Sequence, residues 1–367
     1  MKHGWNDNIF LSSTNQIASQ VTVLSTGVMC DTNNERLHAQ VKAQGTALFY
    51  EAEKDLNSID QKYESDLSYR VNETNTCRAI VGYSLESSPD SDLTSSGFIL
   101  DTTRRNRLTT SGHWTHAYSE RLSSGLVYNY ANERFKSKGS SVDSDMSKHG
   151  LNMGFKYQLE RAGKASWISL NMGWERFVFS SSDVDTISIL PGINWYVSEK
   201  TAVSLNAGAR YTQSRYQTLT PVTTAQPLIY TVTDDKEHTI GGVGLASLLF
   251  FQESSSIVLS LDHRVEPASG KGVATERTGV SFVYKKHLVG SWAWNFDASY
   301  FNNRSDKTGD NNSTVNEQTW CISPQLEYAF TRNTKIDLTY TWLMNRVLDE
   351  SPDTRRQMVF LRLSHHI

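Results

Sequence analysis

The sequence predicts an all-β protein: a transmembrane, antiparallel, up-and-down β-barrel of about 18 strands (range 16–18), formed by residues 1–367 as one domain. Three observations predict it. Apolar and polar residues alternate along most of the chain, and helical periodicity is almost absent. The alternating runs are about 10 to 16 residues long, which suits the ~9 to 11 tilted residues of a membrane-spanning strand and exceeds the ~5 to 6 of soluble strands. The connections alternate between short turns and longer polar links, as in a barrel with two unlike ends.

The elements follow in order. "WNDNIFLS" (Trp5 to Ser12) supplies a first strand. Leu37, Ala39, Val41 and Ala43 alternate with His38, Gln40 and Lys42, and Tyr63, Leu67 and Tyr69 alternate with Glu64, Asp66 and Arg70. The same rhythm returns at Leu151 to Leu159, Val203 to Tyr211 and Trp292 to Tyr300. It recurs in "SPQLEYAFTRNTKIDLTYTW" (Ser323 to Trp342), a hairpin with its turn at Thr331 to Thr334. "LPGINWYVSEKTAVSLNAGARY" (Leu190 to Tyr211) aligns with that hairpin, Pro191 on Pro324 and Trp195 on Tyr328. Each proline lies inside a strand, which predicts a local bulge. Leu219 to Glu237 is the longest link that would fold inward as a constriction.

Aromatics decide between lipid and water as the apolar face's neighbour. Tyr69, Trp195, Tyr328 and Phe330 precede short turns, and Tyr83, Tyr211, Tyr300 and Trp342 lie about one membrane thickness further on. Two such girdles mark a lipid-facing wall. A soluble sandwich would have shorter strands and more proline than the 7 present. Lipid tolerates no open edge, so a single long sheet closes on itself.

Bulk composition narrows the function. The net charge of -3 offers no basic excess for nucleic acid. Mean hydropathy is -0.47, and no run reaches the ~18 to 20 apolar residues of a spanning helix. Cys30, Cys77 and Cys321 form no CxxC and read as free packing residues. Met1 to Trp5 leads into polar sequence without an apolar leader core, so the chain reads as a mature form.

The "GWNDNIFLS" segment, the Pro-x-hydrophobic-x-aromatic-x-x-Ser/Thr hairpins and the last strand "RRQMVFLRLSHHI" together resemble the β-barrel porin 2 family of bacterial outer-membrane barrels. That family is associated with exopolysaccharide secretion. The resemblance implies an outer-membrane channel, a polysaccharide cargo and periplasmic secretion-complex partners. One feature departs from such barrels: the chain ends His365, His366, Ile367, where they end in an aromatic residue.

Candidate chemistry is sparse. His113 and His116 in "HWTH" point to opposite faces of a strand and cannot share a metal. Asp306 to Glu317 has acidic ends, but Gly309 sits at position four, where a calcium loop needs glycine at six. No nucleophile elbow or phosphate loop appears. The sequence therefore predicts no enzyme, no cofactor and no metal. Alternation assigns Lys42, Lys62, Glu64, Asp66, Arg70, Arg78, Lys156, Glu175, Arg210, Asp262, Arg264, Arg277, Asp297, Glu327 and Asp337 to the lumen. Charges of both signs predict a wet interior braced by ion pairs rather than a ring selecting one ion sign. Tyr50, Trp167, Tyr196 and Phe301 fall on the same phase and are candidate sugar contacts. Three functions follow: export of a hydrophilic polymer, general diffusion of small solutes, or a plugged docking barrel.

Overall fold

Period-2 alternation lets a strand bury one face while the other meets a different solvent, and this chain repeats the device 18 times. The structure, a computed structural model, describes residues 1–87, 104–136, 145–161, 164–180, 182–221, 230–268, 273–305, 315–348 and 352–366. The strands are β1 (Lys2–Asn6), β2 (Ser19–Asn33), β3 (Leu37–Tyr50), β4 (Ser58–Arg70), β5 (Asn75–Glu86), β6 (Arg104–Ala117), β7 (Leu122–Lys136), β8 (Met146–Arg161) and β9 (Lys164–Phe179). They continue as β10 (Ser182–Tyr196), β11 (Thr201–Pro221), β12 (Tyr230–Phe251), β13 (Ser255–Ala268), β14 (Val273–His287), β15 (Trp292–Arg304), β16 (Asn316–Ala329), β17 (Thr334–Val347) and β18 (Thr354–His365). Each pairs antiparallel with the next, and β1 bonds both β18 and β2, closing the barrel. Gly4 makes that seam possible: a Cβ there would lie 1.9 Å from the Val359 carbonyl oxygen. Below the Lys2–Val23 pair, β2 pairs with β3 alone among the described residues.

The short turns have a common chemistry. The side-chain oxygens of Asn34, Asn72, Ser119 and Thr331 each accept backbone N–H groups two and three residues on. Such side-chain-closed turns reverse a strand without glycine. Among the described residues the one glycine with positive φ, Gly290 at +74°, sits in the turn between β14 and β15.

The outward face is apolar and open. Ile187, Ile189, Leu205, Leu261 and Leu361 are all between 46% and 57% exposed. Aromatic pairs flank this band on the same face: Trp292–Tyr328 at 4.7 Å between centroids, Tyr328–Phe330 at 4.9 Å, and Tyr300–Trp320 at 5.3 Å. A contiguous exposed apolar belt this large belongs against lipid.

Three expectations change. The first strand is Lys2–Asn6; of "WNDNIFLS", only Trp5 and Asn6 are strand. Pro191 and Pro324 cause no bulge. Registers Ile189–Ala209 and Gly192–Asn206, or Ile322–Trp342 and Gln325–Thr339, keep the same sum across the gap. Each proline removes ladder contacts without inserting a residue. At the first gap Gly208 allows a close approach, since a Cβ would lie 1.8 Å from the Ile189 oxygen. Most of Leu219 to Glu237 is strand, as β11 runs to Pro221 and β12 starts at Tyr230; the link itself lies outside the described residues. The Asp306–Glu317 loop also lies mostly outside them.

Two other segments enter the lumen instead. The first is a strap formed by residues 7–18. Ile9 packs with Val21, Met358 and Phe360 of the inner wall, and Phe10, Ile17 and Tyr50 join them. Leu11, at φ 51°, inserts against Cys321 and Leu343. Asn8, fully buried, ties the strap together: its Nδ2 donates to the carbonyls of Ser12 and Arg355, both at 2.8 Å, and its Oδ1 accepts from the Ser12 N–H. The second is the tip of the β13–β14 hairpin. Pairing of β12 with β13 ends at Gly244–His263. Beyond it, Val265 and Ala274 pack on Met146, Phe177, Phe179 and Val184, inner-face residues of β8, β9 and β10. The hairpin must lean across the lumen to make that contact.

Candidate functional site

Strand register places the expected charged residues on the face opposite the exposed apolar belt. Lys42 faces Glu64, and Lys62 faces Gln44, across β3–β4; Arg70 and Arg78 continue the same phase on β4 and β5. Lys156 and Glu175 share it on β8 and β9, and Arg210 on β11. Asp262, Arg264 and Arg277 share it on β13 and β14. Asp297, Glu327 and Asp337 do so on β15 to β17.

The structure brings most of these charges into pairs. Arg78 Nε donates to Asp66 Oδ1 at 2.8 Å, and Lys62 lies 4.0 Å from Glu64. Arg277 bridges Asp262 at 3.1 Å and also Glu266, which Arg264 meets at 2.7 Å. Arg210 donates to Glu276 at 2.5 Å, Lys148 meets Glu175 at 2.7 Å, Lys335 meets Glu327 at 2.9 Å, and Arg362 meets Asp337 at 2.8 Å. Paired charges brace a wall and leave little net field to select one ion sign.

The sequence reading missed one brace. Glu133, 1% exposed, lies 3.6 Å from Arg105 and 3.0 Å from Arg107, and Arg105 also meets Glu86 at 2.5 Å. The signal was available: "RRNRLTT" puts Arg105 and Arg107 out of phase with Leu108, which is 37% exposed on the outer face. His113 and His116 do diverge, His113 bonding Ser111 and His116 bonding Asn75.

The four aromatics separate into two kinds. Tyr50 packs into the strap cluster, and Phe301 is 6% exposed beside Gly279 and Arg277. Neither offers a face to a solute, because apolar groups inside a barrel wall bury each other when a segment covers them. Trp167 and Tyr196 remain accessible near the short-turn end, with Tyr196 at 38% exposed.

Around Trp167 the wall changes character. On the inner face of β7 to β11, below Glu175 and Arg210, Lys156 is the one charged residue among those whose side chains are described. The other positions are mainly Gly, Ser and Asn. Small side chains are required by packing: a Cβ at Gly192 would lie 2.0 Å from Asn206 Oδ1, and one at Gly173 would lie 2.6 Å from Asn152 Oδ1. The result is a recessed, hydrogen-bonding surface with a cavity of about 340 Å³ lined by Lys156, Trp167, Ser169, Asn171 and Asn206 among others.

The closed sheet of 18 strands, its outward apolar belt and its polar inner face define the class: a bacterial outer-membrane β-barrel. Solved structures share the fold at low identity. The ferric citrate transporter FecA, in its unliganded form, matches with a TM-score of 0.51 at 8% identity, over 94% of this chain and 59% of that one. BauA, the ferric preacinetobactin receptor from Acinetobacter baumannii, matches with a TM-score of 0.51 at 11% identity, over 95% of this chain and 62% of that one. The chain thus spans less than two-thirds of the length of either. No family model and no curated protein matches the sequence; what the comparisons show is the fold of outer-membrane barrels.

Proposed function

We propose that this barrel is an outer-membrane channel for a hydrophilic polymer, an exopolysaccharide, leaving the cell. One observation carries the reading. The wall left uncovered by the strap, on β7 to β11, is sparsely charged toward the short turns, rich in amide and hydroxyl groups, and holds Trp167 and Tyr196 near the short-turn end. Such a surface exchanges hydrogen bonds with sugar hydroxyls. Short turns would face the periplasm, where a secretion complex would deliver polymer, and the longer links would face outside. Passage needs no cofactor; the lumenal ion pairs hold the wall.

The two similar structures are described as a transporter and a receptor, which fits passage of a solute. A second reading has its own support. Three buried apolar clusters include lumen-facing residues, as in a plugged barrel that serves as a docking scaffold. Planar-bilayer recording separates the readings. Export predicts stepwise conductance that added acidic or neutral polysaccharide blocks. Stepwise conductance that no polymer blocks indicates a general diffusion pore. A silent bilayer, from protein that still shows heat-modifiable migration, indicates the plugged scaffold.

A further inference from the structure

The cavity beside Trp167 has a more specific chemistry than the wall around it. Lys156 and Trp167 lie on adjacent strands, diagonal to one another: Lys156 pairs with Ser169, and Trp167 pairs with Gln158. The Lys156 ammonium sits 3.8 Å from the centroid of the indole ring. A cation held over one ring face leaves the ammonium pointed into the recess rather than into a carboxylate. Gly125 and Gly154, paired across β7 and β8, leave the opposite side of the recess without side chains.

Hydrogen-bonding groups converge from the next strands. Ser169 Oγ donates to Asn206 Oδ1 at 3.4 Å, which turns the Asn206 amide into the recess. Asn171 is exposed on the same face and lines the same cavity. Asn194, the register partner of Trp167, keeps a buried Oδ1 with no hydrogen-bond donor. The cavity thus presents an apolar plane, a cation and two amides. Its volume of about 340 Å³ lies at the small end of ligand sites.

We infer that the Lys156–Trp167 recess is a saccharide subsite for a carboxylate-bearing sugar, a uronate unit of an acidic glycan. The carboxylate pairs with Lys156, and ring hydroxyls exchange bonds with Asn171 and Asn206. This rests on the export reading for its physiological cargo, but its binding chemistry stands apart from passage. One cation fits one carboxylate per repeat, and Glu175, further along the same face of β9, is already paired with Lys148 at 2.7 Å. The recess lies near the short turns, so it is a first contact for a chain entering from that side.

Binding and passage are measured separately. Titration calorimetry of the detergent-solubilised full chain with oligogalacturonate reads the subsite, and maltooligosaccharide of equal length is the neutral control. Bilayer recording of the same protein reads passage. The expected result is that oligogalacturonate binds at least tenfold more tightly than the neutral oligomer. Lys156→Met abolishes that preference, and Trp167→Ala weakens both ligands. Heat-modifiable migration checks that each variant folds. Equal affinity for the two oligomers, or oligogalacturonate affinity unchanged in both variants, overturns the subsite. Conductance without polymer block, in protein that still binds the uronate, refutes export and leaves the subsite standing.

Discussion

Replacing Ile9 and Leu11 together by Asp raises single-channel conductance severalfold. The strap is held by apolar contacts inside the barrel. Ile9 and Leu11 are each 5% exposed, and their partners Val21, Met358, Phe360, Cys321 and Leu343 are wall residues. Full burial of each such side chain contributes about 1.5–3 kcal/mol, and a carboxylate at either position must stay hydrated. The strap then leaves the wall, and the cross-section it occupied fills with water. The barrel remains closed, because β1 and β2 keep their own ladder. Asn8→Ala has a weaker effect of the same sign, since its amide is the strap's polar anchor to the Arg355 carbonyl. Unchanged conductance in the double variant would show that the strap lies outside the conducting path.

Glu133→Ala lowers stability by about 3 kcal/mol, near the low end of the cost of breaking a buried ion pair. Glu133 is the shared partner of Arg105, itself 4% exposed, and Arg107. Its loss removes an ion pair from Arg107 and weakens the hold on Arg105, which keeps Glu86. That remaining partner is why the cost does not reach the upper end. Glu133→Gln retains a hydrogen-bond acceptor and loses less. Urea unfolding in lipid vesicles, followed by tryptophan fluorescence, measures the difference. A loss under about 1 kcal/mol, the value of an exposed pair, would mean the cluster is more hydrated than its burial indicates.

The wall was legible because its cause is local. Period-2 alternation, turn length and girdle aromatics are properties of single strands and hairpins, and they place Leu326 and Leu338 outside and Glu327 and Asp337 inside. The contents of the lumen were not legible in the same way. "NDNIFLS" continues the alternation of a strand, yet its apolar residues find a better place against Met358, Phe360 and Leu343, which are far away in sequence. Those wall residues gave a warning: apolar side chains on the lumenal phase have no place in water. The lean of the β13–β14 hairpin had no local signal, since Val265 reads as another outward residue in phase with Leu259 and Leu261. For the candidate site, alternation placed Trp167 and Lys156 on one face, but only strand order put Asn194 and Asn206 beside them. Tyr50 and Phe301 had the same phase and lost their access, Tyr50 to the strap and Phe301 to its neighbours on β14.

The central claim is which face meets lipid. Nitroxide labels at Leu326, Leu338, Lys42 and Gln44, in a background lacking Cys30, Cys77 and Cys321, test it in reconstituted vesicles. Collision with lipid-soluble oxygen and with a water-soluble nickel chelate is compared at each site. The account predicts oxygen-dominated relaxation at Leu326 and Leu338, and chelate-dominated relaxation at Lys42 and Gln44. Chelate access at Leu338 equal to that at Gln44 would contradict a lipid-facing outer wall.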